Sequence, residues 1–217
     1  MKLSESVLFV REYFRNYRAT GAVLPSGRSL ARALCHFVAH GDGPKRILEV
    51  GPGTGAVTRR LVRCLSPEDR LDLVELNDSF VERLKHRFQH DPAFQRVAGQ
   101  AQVHHCPVED LPCNTKYDVI VSGLPLNNFH VAEVERILCI FQELLRPGGT
   151  LSFFEYIAIR HARAIFAGRK DRERLRGIHR ALKGLLKNEI RRDWIWPNVP
   201  PAWVHHVRFN ASSAPAS

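Results

Sequence analysis

Apolar residues in this chain follow two rhythms that change near Arg46. Before it, Leu3, Val7, Val10, Phe14 and Tyr17 recur at spacings of three and four, one face of a helix, with Arg11 and Arg15 lying off that face. A loop containing Gly21, Pro25 and Ser26 follows, and the pattern then predicts a second short helix over Ser29–Val38, ending before Gly41. From Arg46 the pattern becomes short branched-apolar runs separated by helical stretches. Strands are predicted at Arg46–Val50, Leu71–Leu76, Gln102–Cys106, Tyr117–Ser122 and Thr150–Tyr156, with helices at Val57–Cys64, Ser79–Gln89 and Ala132–Leu145. Strands alternating with helices imply crossover connections and hence a parallel sheet. Arg191–Trp196 and Trp203–Phe209 are rich in aromatic and branched residues and are expected to pair as a closing antiparallel hairpin around Pro197, Pro200 and Pro201. The expected fold is α/β, a doubly wound, mostly parallel seven-stranded sheet in one domain. A helical cap (1–45) precedes the core (46–160), a basic amphipathic segment and the hairpin (161–209) follow it, and the tail (210–217) is expected to be disordered.

Composition narrows the classes. No run approaches the roughly 20 apolar residues that cross a bilayer, and the N-terminus lacks an apolar signal core with a small-residue cleavage site, so a cytoplasmic protein is expected. The five cysteines are scattered and never form a CxxC pair, which predicts reduced thiols and no structural metal. Net charge is +10, and between Arg160 and Arg192 twelve Lys or Arg stand against three acids, so +9 of it lies in this one stretch. Such a surface draws phosphate-bearing partners.

The chemistry starts after the first strand. Glu49-Val50-Gly51-Pro52-Gly53-Thr54-Gly55 stands between a strand and a helix, and its alternate glycines let the backbone approach a ligand closely. It is neither G-x-G-x-x-G nor a loop ending in Gly-Lys-Ser/Thr, which argues against nicotinamide and ATP. Twenty residues past Gly55, Glu75 ends the second strand, where a carboxylate accepts hydrogen bonds from the ribose of an adenosine cofactor.

On these residues the chain resembles the class I methyltransferases, with a Rossmann-like fold. The resemblance implies S-adenosylmethionine across the carboxyl ends of strands 1, 2 and 4, held by Glu49, Gly51, Gly53, Thr54, Gly55, Glu75 and Ser122. The family's adenine contact falls within Cys106–Asp110. Pro107 stands where many relatives have Asp, so the Val108 backbone and Glu109 are the substitutes. The acceptor site falls on Ser122–Phe129. Enzymes that methylate adenine or glutamine amides carry an Asn/Asp-Pro/Leu-Pro-Tyr/Phe pattern there, whereas this chain has Gly123 and Leu126 at the two deciding places, with Asn128 following. Without a carboxamide grip or a stacking ring, an aliphatic amine is the expected acceptor.

Thr20–Ser26, the glycine loop, Ser122–Phe129 and Asn198–Ala202 together resemble the bacterial phospholipid N-methyltransferases over roughly residues 9–209. This implies stepwise methylation of phosphatidylethanolamine toward phosphatidylcholine, or of an ornithine lipid in a closely similar branch. A lipid substrate agrees with the basic stretch. Leu175, Ile178, Leu182, Leu185, Leu186 and Ile190 make an apolar stripe flanked by Arg176, Arg180, Lys183, Lys187 and Arg191, an arrangement able to lie on an anionic membrane at the inner face of the cell. The alternative is an ordinary surface helix that packs this stripe on the sheet. Methyl transfer from a sulfonium is an in-line displacement needing no metal, but an ammonium must first lose a proton. Glu155 and Tyr156 at the end of the fifth strand are the candidates to receive it, and Tyr13 and Tyr17 could hold a methylated ammonium by cation–π contact. Two other classes stay open: an rRNA adenine methyltransferase, which the missing helical RNA-binding domain opposes, and a non-catalytic lipid-binding protein.

Overall fold

The structure is a computed structural model that describes residues 27–40, 42–112, 114–156, 169–196 and 201–209. The predicted N-terminal helix with Tyr13 and Tyr17, the loop after it and the tail lie outside the described residues.

The helices are α1 (Arg28–Leu34), α2 (His36–Ala39), α3 (Thr58–Cys64), α4 (Asp78–His90), α5 (Pro92–Gln95), α6 (Val131–Leu144) and α7 (Arg169–Leu185). The strands are β1 (Arg46–Val50), β2 (Arg70–Glu75), β3 (Ala101–His105), β4 (Tyr117–Ser122), β5 (Leu145–Tyr156), β6 (Glu189–Ile195) and β7 (Ala202–Arg208). They form one seven-stranded sheet in the order β3-β2-β1-β4-β5-β7-β6. β1 to β5 are parallel, while β7 runs antiparallel to both β5 and β6. The expected doubly wound sheet and its closing hairpin are therefore present. β1 and β4 are adjacent, so the strand order reverses between them, and the glycine loop stands at that switch point.

Both faces are covered, as the apolar character of β1, β2 and β4 requires. One side packs Val134, Leu138 and Phe141 of α6 with Ile178, Leu182 and Leu185 of α7 over Leu48, Ile120, Leu151 and Phe153. The other packs Leu30 and Leu34 of α1 with Leu61 and Val62 of α3 over Ile47, Leu73, Val121 and Phe154. Local signals fix the helix starts. Asn77 accepts from the Phe80 amide at α4, and Asp91 accepts from the Ala93 amide at α5, where Pro92 takes the first position.

Three elements differ from expectation. The single helix expected over Ser29–Val38 is two, α1 and α2, divided at Cys35. β5 begins at Leu145 rather than Thr150, running through Pro147-Gly148-Gly149: Leu145 pairs with Tyr117 of β4, Gly148 donates to the Phe209 carbonyl and Phe209 donates to that of Gly149. Pairing with β7 thus recruits a segment whose composition suggests a turn. Ile190 and Arg191 belong to β6 rather than to the basic helix.

The α7 stripe also answers which face it serves. Ile178, Leu182 and Leu185 are buried in the core shared with α6, and Gly177 leaves room for Val131, whose Cγ2 would lie 2.6 Å from an added Cβ. Exposing three such side chains would cost on the order of 5 kcal/mol. The stripe therefore packs on the sheet, and this corrects the expectation that it lies in a membrane. Arg176, Arg180, Lys183 and Lys187 remain exposed on the outer face.

Candidate active site

Glu75 is built into the fold by backbone donors. Its Oε1 accepts from the Leu76 and Asn77 amides and its Oε2 from the Gly53 amide, each at 2.9 Å. The carboxylate of β2 thereby fixes the glycine loop of β1. Burial raises its pKa, and the three amide bonds oppose that rise. A carboxylate has about four acceptor positions; with three engaged, one is left for a ligand.

Glu49, one strand away, has no such support. It is fully buried, and neither oxygen has a hydrogen-bond partner among the described residues. Burial pushes its pKa up to about 8, nearby Thr58 draws it down, and the charge of Glu75 adds to the rise. A buried carboxyl without a hydrogen-bond partner beside a second buried carboxylate is a place where a positively charged ligand would be favoured.

Gly51, Gly53 and Gly55 all have positive φ (70°, 53° and 76°). At Gly51 the space is also closed, since an added Cβ would lie 2.7 Å from Leu124. Thr54 is half-buried in the loop. The Gly55 carbonyl accepts from the Arg87 guanidinium of α4 at 3.1 Å, a brace that the sequence pattern did not mark.

The β4 loop is locked to this one. Gly123 donates to the Val50 carbonyl at 2.8 Å, and a Cβ on it would stand 2.5 Å from the Gly51 carbonyl oxygen. The absence of a side chain at Gly123 thus has a packing cause. Ser122 is buried, its Oγ accepting from the Leu124 amide. Leu126 is 1% exposed and belongs to the core, and Asn128 is half-buried. Arg174 of α7, also unmarked by the sequence pattern, donates to the carbonyls of Asn127 and Phe129 at 2.9 Å and ties this loop to the basic helix. After β3, Val108 packs into the core while Glu109 is exposed.

Glu155 and Tyr156 do not meet. Successive strand residues point to opposite faces, and Tyr156 packs edge-to-face on Phe154 while Glu155 turns to the other side. There it contacts His205 Nε2 at 3.3 Å. His205 Nδ1 lies 2.5 Å from Glu189, which in turn takes a two-pronged bond from Arg192. These four groups run from the carboxyl end of β5 to the edge strand. Among the membrane candidates, Arg191 is engaged by Asp193 through two bonds.

Residues 47–149 match the methyltransferase domain family. The chain is similar to the ornithine lipid N-methyltransferase of Singulisphaera acidiphila, 23% identical over 150 residues, covering 69% of this chain and 77% of that protein. It is also similar to the ribosomal RNA small subunit methyltransferase A of Parasynechococcus marenigrum, 38% identical over 82 residues, but covering only 38% of this chain and 26% of that protein. Among solved structures, the O-methyltransferase TomG from Streptomyces achromogenes, determined in complex with SAM, superposes with a TM-score of 0.63 at 17% identity, covering 96% of this chain and 92% of that one. The domain match over residues 47–149 and the shared fold support an S-adenosylmethionine-dependent methyltransferase with the class I fold.

Proposed function

We propose that this enzyme transfers methyl groups from S-adenosylmethionine to the amine head group of a membrane lipid, phosphatidylethanolamine toward phosphatidylcholine or an ornithine lipid. The observation that carries the lipid reading is the likeness to the ornithine lipid N-methyltransferase, which extends over 77% of that protein. The rRNA methyltransferase likeness is higher in identity but is confined to 82 residues.

The residues have distinct parts in this reading. Glu75 holds the ribose through its remaining acceptor position, Gly53 and Thr54 line the cofactor, and Glu49 faces its positive end. The cofactor supplies an activated methyl group, and the protein aligns a neutral amine with it and excludes water. Glu155, with His205 and Glu189 behind it, receives the proton that the ammonium loses. Tyr156, on the other face, has no part in this step.

Membrane contact in this reading comes from the sheet edge, since the α7 stripe is buried. Ile190, Trp194 and Trp196 are 43%, 55% and 66% exposed, the large apolar side chains most open to solvent among the described residues. Trp194 lies against Trp196 and Trp203, with ring centroids 5.7 Å and 5.5 Å away. Trp203 is directly opposite Glu155 in the ladder, which puts the cluster at the carboxyl end of β5, on the side covered by α7. Tryptophans of this kind suit a membrane interface, and the exposed bases of α7 add attraction to anionic lipid. Attachment is peripheral and at the inner face of the membrane.

The test is transfer of labelled methyl to an extracted bacterial lipid mixture, with mass analysis of each product. Label is expected in methylated phosphatidylethanolamine or ornithine lipid, and label in ribosomal RNA alone would replace the lipid reading. The Trp194→Ser, Trp196→Ser variant is expected to pellet with anionic vesicles about tenfold more weakly, the equivalent of about 1.4 kcal/mol of lost burial.

A further inference from the structure

α1 and α3 border a half-open cavity of about 390 Å³ whose lining includes Arg28, Arg32, Arg59, Arg60 and Arg63 and, among the described residues, no acid. Arg28 and Arg32 are four apart on one helix, and Arg59 and Arg63 are four apart on the other. Like charges at this spacing already repel within a helix, and here two such rows share one cavity. Among the described residues Arg59 is the one of the five with a carboxylate partner, Asp91 at 3.6 Å. The Nε of Arg60 is buried and has no hydrogen-bond partner. A helix pair that stabilised only itself would not gather five guanidinium groups around a void and leave a buried donor unused.

We propose that this cavity binds a phosphate group. A guanidinium presents a rigid fork that pairs two oxygens at once, and several of them around one point suit a group with three or four oxygens and more than one negative charge. The volume admits a phosphate together with the small alcohol it esterifies, whether free in solution or as a lipid head group. A nucleic-acid backbone needs an extended track of cations, and this site is a compact cluster around one point. Ala56, the residue after Gly55, is part of the lining, so an occupant reaches the segment that carries the cofactor loop. This site is independent of the acceptor assigned above.

The experiment is calorimetry of the full chain with glycerol 3-phosphate, beside co-sedimentation with phosphatidylcholine vesicles with and without phosphatidylglycerol. The Arg32→Gln, Arg63→Gln variant changes two exposed members and keeps the fold, which cofactor binding checks. Wild type is expected to bind one source, and the variant to bind it at least about tenfold more weakly, given that each hydrogen bond to a charged group contributes about 1.5–3 kcal/mol. Binding of the soluble ester identifies a free phosphate ligand; sedimentation only with phosphatidylglycerol identifies a head group. Wild type is also expected to gain thermal stability in the ligand while the variant does not. Failure of wild type to bind either source, equal binding by the variant, or binding to structured RNA alone would overturn the site, and none of these depends on whether a lipid amine is methylated.

Discussion

The two ends of the parallel sheet treat their acids in opposite ways. At the amino end Asp72 is nearly buried yet fully engaged, with Arg46 at 3.1 Å, His104 at 2.9 Å and the Tyr117 hydroxyl at 3.0 Å. Nearby Asp69 accepts from the Lys45 and Ser66 amides, and Asp118 from the Arg46 amide and the Arg146 guanidinium. At the carboxyl end Glu49 and Glu75 are as deeply buried, but among the described residues neither has an ion-pair partner, and burial raises both pKa values. At the amino end these acids are engaged across strands, whereas at the carboxyl end Glu75 is held by backbone amides alone and Glu49 has no hydrogen-bond partner among the described residues. An uncompensated buried acid costs stability, and its retention at the end where the strand order reverses marks that end as the one that meets a ligand.

Three substitutions break or sharpen this contrast. Asp72→Ala removes the partner of three groups and leaves the Tyr117 hydroxyl buried and unpaired, so urea unfolding is expected to register a loss of about 3 kcal/mol. Loss below 1 kcal/mol would mean that the amino end is not held by its acids. Glu75→Gln sets an NH2 against backbone donors and removes the charge from the proposed ribose site; cofactor affinity by calorimetry is expected to fall about 100-fold, from one or two charged hydrogen bonds. Glu49→Gln acts in the other direction on stability. Its folded pKa of about 8 lies above the unfolded value of 4.5, so the folded state holds the extra proton between those values and stability declines as pH rises across them. The Gln variant is expected to lose that slope and to be more stable than wild type at pH 8 by on the order of 1–2 kcal/mol, while binding cofactor more weakly. An unchanged slope would remove Glu49 from the titration.

The strand and helix rhythm after Arg46 was legible because each element has its own period and lies between turn residues. β1 and β4 match their predicted ranges, and the other predicted strands shift only at their ends. Glu75 was legible as a site residue from its place after the glycine loop, but its bond to Gly53 depends on the spacing of β1 and β2 and carries no sequence mark. The packing need at Gly123 was not legible, because a glycine required by another backbone looks the same in sequence as one that shapes a pocket. Glu155 and Tyr156 were paired by proximity in sequence, and the strand's alternation separates them. The basic stretch joined two elements, since a helical stripe and the first residues of β6 run together without a Gly or Pro between them. Arg87 and Arg174 were hidden among many arginines; only packing distinguishes the two that brace loops.

The contact between Gly51 and Gly123 has a consequence for how such a protein can change. With a carbonyl of one loop seated where a side chain of the other would be, the two loops form a single mechanical part, and neither can be altered alone without moving its neighbour. A search for variants with new acceptors therefore has little freedom at residue 123. Its freedom lies farther along, at Asn127 and Asn128 and on the edge hairpin, where diversity can be introduced without disturbing the register of the shared part.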